Sequence, residues 1–218
     1  MPVTREEIVR AYPTLFHISL ASDVAQILKH GLLSTSALLD ICEVTGVERF
    51  NVESRRRPKA IQVSHSIHGS FLINDQAPMS EIALKKCLID LSPQEWCESL
   101  NRRIFFWPTR GRLEKHLAAR LGQGRKRVVF SVDTRAFVDR FGDLMELSPI
   151  NSGNTMRNAA RRGSKTFLPL NEYPFHERRM KVGLANAVAE ITYPYAIAPD
   201  KLSGLPQDSW SVPSVPVE

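Results

Sequence analysis

Apolar residues in this sequence occur in short runs, and polar or turn-forming residues interrupt each run after a few positions. A membrane-spanning helix needs about 18 or more apolar residues in succession, so none is predicted, and the core has to be assembled from many short elements. The 218 residues are enough for one domain with a substantial core. We predict a single domain of class α+β over residues 1–202, followed at 203–218 by a Pro/Ser-rich tail that is extended and poorly ordered.

Capping residues mark the ends of the predicted helices. Ser92 and Glu95 have the spacing of a capping box, with a proline at the first helical position between them. Ser22 precedes a stretch with helical apolar spacing and Gly31 follows it, so we expect a helix between these two residues. The sequence therefore predicts short helices with defined ends.

Several segments have the composition of strands. They are rich in β-branched and aromatic residues, and some show the period of two that half-buried strands have. The segments are 15–18, 61–63, 103–107, 128–132 and 187–193. Strands and helices are interspersed along the chain without an internal repeat, which is typical of a mixed fold.

Basic residues outnumber acidic ones by 29 to 23, which gives a formal net charge of +6. Such an excess favours an anionic partner, for example nucleic acid or a dinucleotide. The basic residues are also clustered into three runs: Arg55–Arg57, then Arg120, Arg125, Lys126 and Arg127, then Arg157, Arg161, Arg162 and Lys165. Solvated surface charge explains each run by itself equally well, so both interpretations stay open.

The three cysteines, Cys42, Cys87 and Cys97, lie beside apolar residues in predicted helices and lack CxxC spacing. We expect small buried side chains in a reducing compartment, not disulfides or a metal site. His65 and His68 have no partner at metal-site spacing, so no metal is predicted. The first residues lack the apolar segment of a secretory signal, and together with the cysteines this predicts a cytoplasmic protein.

Two polar residues interrupt apolar strands and are the first candidates for chemistry. Alternation along the segment 187–193 places Glu190 on one face with Val188 and Thr192, and a buried carboxylate is costly unless it has partners. His17 lies between two apolar residues of the first strand. A glutamate on a half-exposed sheet face and a hydrogen-bonded structural histidine are the alternatives. No hydrolase, P-loop or Rossmann motif accompanies these residues.

A series of short motifs runs collinearly through residues 12–200. In chain order they are Leu15-Phe16-His17-Ile18, Ile27-Leu28-Lys29-His30-Gly31-Leu32-Leu33, Phe105-Phe106-Trp107-Pro108-Thr109-Arg110, Val128-Val129-Phe130-Ser131-Val132, the Asn151–Asn154 turn, His176-Glu177-Arg178-Arg179, and Ala189-Glu190-Ile191-Thr192 with Pro194. Together these motifs resemble the DarT-type DNA ADP-ribosyltransferase toxins, or a sister family with the same fold.

The resemblance implies an ADP-ribosyltransferase-like fold: two small twisted β-sheets that split to form a cleft, with helices outside and NAD⁺ between the sheets. It implies that NAD⁺ is consumed as a substrate without a metal. Breaking the nicotinamide–ribose bond passes through an oxocarbenium-like state that a carboxylate stabilises, as in glycoside cleavage. The implied catalytic residues are Glu190 and Arg57, and the implied NAD⁺-binding residues are His17, Ser19, Phe105, Phe106 and Arg110.

The resemblance and the basic runs together predict the partners. Single-stranded DNA or RNA is the expected acceptor of ADP-ribose, and an antitoxin or an ADP-ribosyl hydrolase is the partner protein that such toxins imply. We expect the Arg55–Arg57 run and the Asn151–Lys165 loop to border one cleft, and we expect His17 and Phe105–Phe106 to line that cleft near Glu190.

The sequence also departs from the family pattern. Asp23 stands where the family has an asparagine, residues 74–101 look like an added helical insertion, and the interval from Arg179 to Glu190 is longer than in the family. Two other functions therefore stay open. One is an NAD-dependent RNA 2′-phosphotransferase on the same fold, and the other is a catalytically silent domain that binds nucleic acid or a protein partner.

Overall fold

Short helices and strands alternate along the chain in a computed structural model that describes residues 2–119, 124–156, 158–202 and 206–212. The helices are α1 Arg5–Ala11, α2 Val24–His30, α3 Thr35–Ile41, α4 Gly46–Glu53, α5 Glu81–Cys87, α6 Pro93–Asn101, α7 Arg110–Ala118, α8 Thr134–Phe141, α9 Phe175–Val182, α10 Leu184–Ala187 and α11 Pro199–Leu202. The strands are β1 Thr14–Leu20, β2 Leu32–Leu33, β3 Ile61–His65, β4 Gly69–Ile73, β5 Arg103–Phe106, β6 Arg127–Asp133, β7 Glu146–Ser148, β8 Leu168–Pro169, β9 Glu190–Pro194, β10 Ala196–Ile197 and β11 Pro206–Val212.

The strands form two main antiparallel sheets. One has the order β1-β6-β11 and the other the order β5-β9-β7-β8. Two further pairs, β2–β10 and β3–β4, are also antiparallel. The predicted class α+β is confirmed, because helices and antiparallel strands share the chain.

Among the described residues, one backbone bridge joins the two main sheets. Phe16 of β1 and Trp107, just after β5, exchange backbone hydrogen bonds of 3.0 and 2.8 Å. The pairing is an isolated bridge and does not continue as a ladder. The neighbouring residue His17 bonds the β5 backbone through its side chain.

The sheet β5-β9-β7-β8 is covered on both faces. One face contributes Phe106, Leu147 and Ile191 to the main core cluster. On the other face Phe105 packs against a second cluster that includes Trp96 and Phe167. Part of that cluster comes from α5 and α6, so the segment 74–101 carries two helices, and they cover a face of the sheet that would otherwise be exposed.

Local capping signals predicted one helix start correctly and one wrongly. Glu95 N–H donates to Ser92 Oγ at 3.2 Å, and Ser92 N–H donates to the Glu95 carboxylate at 2.7 Å, which is the predicted capping box. Ser22 does not cap α2. It lies in a 3-10 turn, its hydroxyl donates to Asp23, and α2 begins only at Val24. The hydroxyl donates to the neighbouring carboxylate and accepts from no backbone N–H of α2.

The last predicted strand and the tail also differ from expectation. Ala187 ends helix α10, and β9 begins at Glu190. The predicted alternation therefore does not extend to Val188, which packs in the main core cluster with Ile191. The tail is not wholly unstructured, because Pro206–Val212 form β11 and pair with β6. The remaining tail positions, 203–205 and 213–218, lie outside the described residues.

Gly31 ends α2 in a conformation that a side chain would disturb. Its φ is +84°, and an added Cβ would lie 2.0 Å from the carbonyl oxygen of Ile197. Gly183 has similar dihedral angles, with φ +76° and ψ 163°, but nothing lies within 4 Å of its added Cβ. Gly183 is therefore a matched control for the effect of backbone strain without the close contact.

We expect Gly31→Ala to lower the free energy of unfolding by about 1–3 kcal/mol more than Gly183→Ala does, since only the first forces β10 to move. Urea unfolding of both variants measures the difference. Equal losses of unfolding free energy in the two variants would mean that the contact between the added Cβ and Ile197 relaxes without cost.

Candidate functional site around Glu190

Glu190 is a buried carboxylate at the start of β9, with 2% of its surface exposed. It pairs with Ser148 of β7. The backbone N–H of Ser152 points at the carboxylate and lies 3.2 Å from each of its oxygens. Burial raises the pKa of Glu190 to about 7, against the opposing effects of Ser152, Arg112 and Arg162. The carboxylate is thus poised between its two protonation states near neutral pH.

Arg162 organises the loop that supplies this N–H group. The side chain is 1% exposed, and its guanidinium donates to the carbonyl oxygens of Ser152 at 2.8 Å, Asn154 at 3.0 Å and Ala160 at 3.0 Å. It also lies over the ring of Trp96, 5.6 Å from the centroid. The loop is therefore wrapped around one buried cation, which fixes the position of the Ser152 N–H group.

Arg112 of α7 supplies a second positive charge to the surroundings of Glu190. Its guanidinium donates to Asn186 Oδ1 at 3.1 Å, just before β9. The sequence pointed to Arg110 as the NAD⁺-binding arginine of this region, and that role stays a prediction. Arg110 is exposed and pairs with Glu114 at 3.2 Å. Residues two apart on a helix point about 200° away from each other, so only one of these arginines can face β9.

Hydrogen bonds to backbone groups hold the segment that leads into β9. The carbonyl oxygen of Ala187 accepts from Tyr173 Oη at 2.6 Å and from Arg178 Nε at 2.8 Å. The Val188 N–H donates to Tyr12 Oη at 3.1 Å. Sequence analysis missed both tyrosines, because a tyrosine that bonds a distant backbone group has no local sequence signal. Arg178 belongs to the quoted His176–Arg179 motif, and its role here is to position β9.

His17 of β1 lies beside the Phe16–Trp107 bridge and contacts β5. Its Nδ1 is 3.0 Å from the carbonyl oxygen of Phe105, and its ring centroid is 5.5 Å from that of Phe106. A carbonyl oxygen only accepts, so Nδ1 carries the proton and Nε2 is an acceptor in the neutral ring. Burial lowers the pKa of His17, against the opposing effect of that hydrogen bond. Ser19 follows two residues later and therefore lies on the same face of β1.

The predicted site residues lie on both faces of the sheet that contains β5 and β9. Phe106 pairs with Ile191, so these side chains share a face. Glu190 precedes Ile191 in the strand and therefore points to the other face. Because the His17 ring contacts Phe106, His17 and Glu190 approach this sheet from opposite faces. The structure thus brings His17 together with Phe105 and Phe106, but it does not bring Phe106 and Glu190 into one pocket.

Arg57, the second predicted catalytic residue, is a structural arginine. It is 5% exposed, and its guanidinium donates to the carbonyl oxygens of Val52 at 2.6 Å and Asn74 at 3.1 Å and to Asn101 Oδ1 at 2.9 Å. Burial lowers its pKa to about 10. These bonds engage Nε and Nη1 and tie α4 to α6, while the catalytic role assigned to Arg57 stays a prediction.

The predicted basic runs meet along the segment 74–80. The Arg57 N–H donates to Gln76 Oε1 at 3.0 Å, and the Thr155 N–H donates to the carbonyl oxygen of Pro78 at 3.1 Å. The Arg55–Arg57 run and the loop at 151–165 therefore flank one segment. Arg120 and Arg157, which belong to the predicted runs, lie outside the described residues.

The remaining expectations concern cysteines, metals and membranes. Cys42, Cys87 and Cys97 are buried free thiols, as predicted. Within the described ranges no group of three or more His, Cys, Asp or Glu side chains could hold a metal ion. No helix among the described residues is long and apolar enough to cross a membrane.

The raised pKa of Glu190 makes the stability of the folded protein depend on pH. Its pKa is about 7 in the folded protein, against an ordinary value of 4.5, so the folded state binds this proton more tightly than the unfolded chain does. The resulting stability is present in full below pH 4.5 and is lost as pH rises through 7. Above that range the loss amounts to about 3 kcal/mol, at about 1.36 kcal/mol per pKa unit.

Glutamine keeps the shape of Glu190 but cannot ionise. We expect the stability of Glu190→Gln relative to the parent to increase by up to about 3 kcal/mol between pH 5 and pH 8. Urea unfolding of both proteins at the two pH values measures this change. If the difference in unfolding free energy between the two proteins is the same at pH 5 and at pH 8, Glu190 does not titrate in this range.

Comparison with known proteins identifies one family. The model of DUF7002, a family of unknown function, matches residues 13–201, which is most of the chain. No curated protein matches the sequence.

Proposed function

Because the chain belongs to DUF7002, whose function is unknown, we infer its activity from its own residues and propose that it transfers ADP-ribose from NAD⁺ to a macromolecular acceptor, with nucleic acid favoured. The observation that carries the proposal is Glu190, a buried carboxylate whose raised pKa is opposed by the charges of Arg112 and Arg162. Perturbed titratable groups of this kind are concentrated at functional sites.

The chemistry assigned to Glu190 is stabilisation of positive charge on a ribose. The bond between nicotinamide and C1′ of the ribose breaks, and nicotinamide leaves with the bonding electrons. The acceptor then forms a bond to C1′ and gives up its proton. An ionised carboxylate in a water-poor site stabilises the oxocarbenium-like state far more strongly than it would in water. The developing positive charge itself favours the ionised form of a group whose pKa is about 7.

The cationic side chains suit a dinucleotide substrate. The guanidinium groups of Arg112 and Arg162 both act on Glu190, and Arg112 is half-exposed, so it is the residue that can pair with a pyrophosphate. The Nε2 atom of His17 can accept a hydrogen bond from a ribose hydroxyl, which is the role that the resemblance to ADP-ribosyltransferases implies. The proposal assumes the predicted fold, in which two sheets split to form a cleft. The isolated bridge between Phe16 of β1 and Trp107, just after β5, supports this arrangement.

One observation favours a domain that binds without transferring. His17 contacts Phe106 on one face of β5–β9, whereas Glu190 points to the other. If NAD⁺ has to contact both residues at once, the strands must move on binding. A protein in which they do not move would be the catalytically silent domain, with nucleic acid or a protein as its partner.

Release of nicotinamide separates the two functions. The purified protein is incubated with NAD⁺, with and without single-stranded DNA or RNA, and free nicotinamide is measured together with the mass of the nucleic acid. We expect nicotinamide release and a gain of one ADP-ribose in the acceptor. Binding of nucleic acid without any release of nicotinamide would identify the silent domain.

A further inference from the structure

Two arginine side chains keep a buried N–H group that has no hydrogen-bond partner among the described residues. They are Arg56, through Nε, and Arg125, through Nη1. The side-chain oxygen of Asn74 is in the same condition. Buried polar groups in folded proteins are nearly always bonded, and a charged donor left without a partner costs more than a neutral one. An acceptor that reached either donor would therefore stabilise the protein.

Both guanidinium groups converge on one short segment, residues 75–77. Arg56 Nη2 donates to the carbonyl oxygen of Ala77 at 3.3 Å. Arg125 Nη1 lies 4.0 Å from Asp75 Oδ2, which is longer than a hydrogen bond. The Ala77 N–H donates to the other oxygen of Asp75 at 3.0 Å. Two arginines from distant parts of the sequence are therefore held by neighbouring residues.

The charge at this place is positive. Arg57 adds a third guanidinium, because its Nε bonds the carbonyl oxygen of Asn74 at 3.1 Å and its charge interacts with that of Asp75. Three arginines thus lie around the single carboxylate of Asp75. Asp75 is buried and orients the arginines, but it does not neutralise them. An acceptor that fits here carries negative charge.

We propose that Arg56 and Arg125 form a binding site for a phosphate group, supplied by a nucleic-acid backbone or by the pyrophosphate of a dinucleotide. A phosphate has several acceptor oxygens, and the guanidinium fork matches their geometry. Both donors are covered in the free protein, so a phosphate that binds here displaces the covering groups and then accepts from Arg56 Nε or Arg125 Nη1.

The position of this phosphate site suits either source. The segment that carries Asp75 continues to Pro78, whose carbonyl oxygen accepts from Thr155 in the loop that surrounds Arg162. Arg125 lies just before β6, the strand that pairs with β1 and thus with His17. The inference does not depend on the proposed transferase activity, because binding is measured without turnover and the two can fail independently.

The test compares phosphate ligands across arginine variants of the full chain. Binding of a labelled 12-nucleotide oligothymidylate is followed by fluorescence anisotropy at low salt, and inorganic pyrophosphate and NAD⁺ are added as competitors. We expect Arg56→Gln and Arg125→Gln each to weaken the binding of at least one of these probes by about tenfold or more. Arg10, an exposed residue of α1, provides the control, since Arg10→Gln removes the same charge and is expected to change affinity less than twofold.

The probes also identify the source of the phosphate. Loss of oligothymidylate affinity, with a shallower salt dependence by about 0.7 per phosphate contact in a log–log plot, indicates a nucleic-acid backbone. Loss of pyrophosphate and NAD⁺ affinity alone indicates a dinucleotide. Affinities that fall equally in all three variants, or in none, overturn the site. Should Arg125→Gln not fold, Arg125→Lys keeps the charge but loses the fork, and parental affinity in that variant would equally reject the proposal.

Discussion

Replacing Glu190 with glutamine is expected to lower the rate of nicotinamide release from NAD⁺ by about 10²–10³-fold, and to change NAD⁺ affinity far less. The carboxylate stabilises charge that develops only as the nicotinamide bond breaks, so its loss affects the transition state more than the bound substrate. Losing one well-placed electrostatic group typically costs about this factor. Single-turnover release of nicotinamide and equilibrium binding of NAD⁺, measured separately, test the two halves of the expectation.

Glu146 offers a matched control in the same sheet. Its carboxylate pairs with Arg103 through hydrogen bonds of 2.7 and 2.9 Å and accepts from Thr192 Oγ1 at 3.0 Å. Glu146→Gln removes a charge that a partner already compensates, so we expect a less stable protein with normal turnover. Glu190→Gln is expected to behave in the opposite way, more stable at pH 8 and inactive. A Glu190→Gln protein that releases nicotinamide at the parental rate would remove Glu190 from the mechanism.

Replacing Arg162 with methionine is expected to lower the free energy of unfolding by about 3–5 kcal/mol. The guanidinium bonds the carbonyl oxygens of Ser152, Asn154 and Ala160, and each buried oxygen left without a donor costs about 1–3 kcal/mol before relaxation. Because the loop also carries the Ser152 N–H group that faces Glu190, its loosening should raise the pKa of Glu190 further. Urea unfolding and hydrogen exchange of the Ser152 amide measure both effects.

Arg161 is the natural control for this substitution, because it is the preceding residue and its side chain is exposed. Arg161→Met removes the same charge from the same loop, and we expect it to change stability by no more than about 0.5 kcal/mol. If the two methionine variants unfold at the same urea concentration, the buried guanidinium does not hold the loop together.

Local interactions explain which elements could be predicted. The capping box at Ser92 and Glu95 is satisfied by atoms three residues apart, and β1 and β6 have the strand composition expected of them. The position of an element was predicted wrongly where a residue distant in the sequence contacts its end. The start of β9 is displaced to Glu190 because Tyr12, which is 176 residues from Val188 in the sequence, bonds the backbone ahead of the strand.

The arginines also show which features the sequence predicts and which depend on tertiary contacts. Sequence clusters identified basic runs, but they could not tell a buried guanidinium from an exposed one. Arg57 is held by Val52, Asn74 and Asn101, while Arg110 remains at the surface. Arg112 and Arg162 act on Glu190 instead, and only the packing of α7 and of the loop at 151–162 against β9 reveals this.

The sequence by itself determined the class α+β, the helices within residues 74–101, and the presence of a carboxylate within an apolar strand. These properties depend on composition, capping and periodicity, which act between near neighbours in the chain. Only the tertiary structure decided what surrounds Glu190, because Ser152 is 38 residues away in sequence and its N–H group is positioned by Arg162. It also decided that Phe106 and Glu190 occupy opposite faces, since the register between β5 and β9 depends on the packing of both faces of the sheet and not on either strand alone.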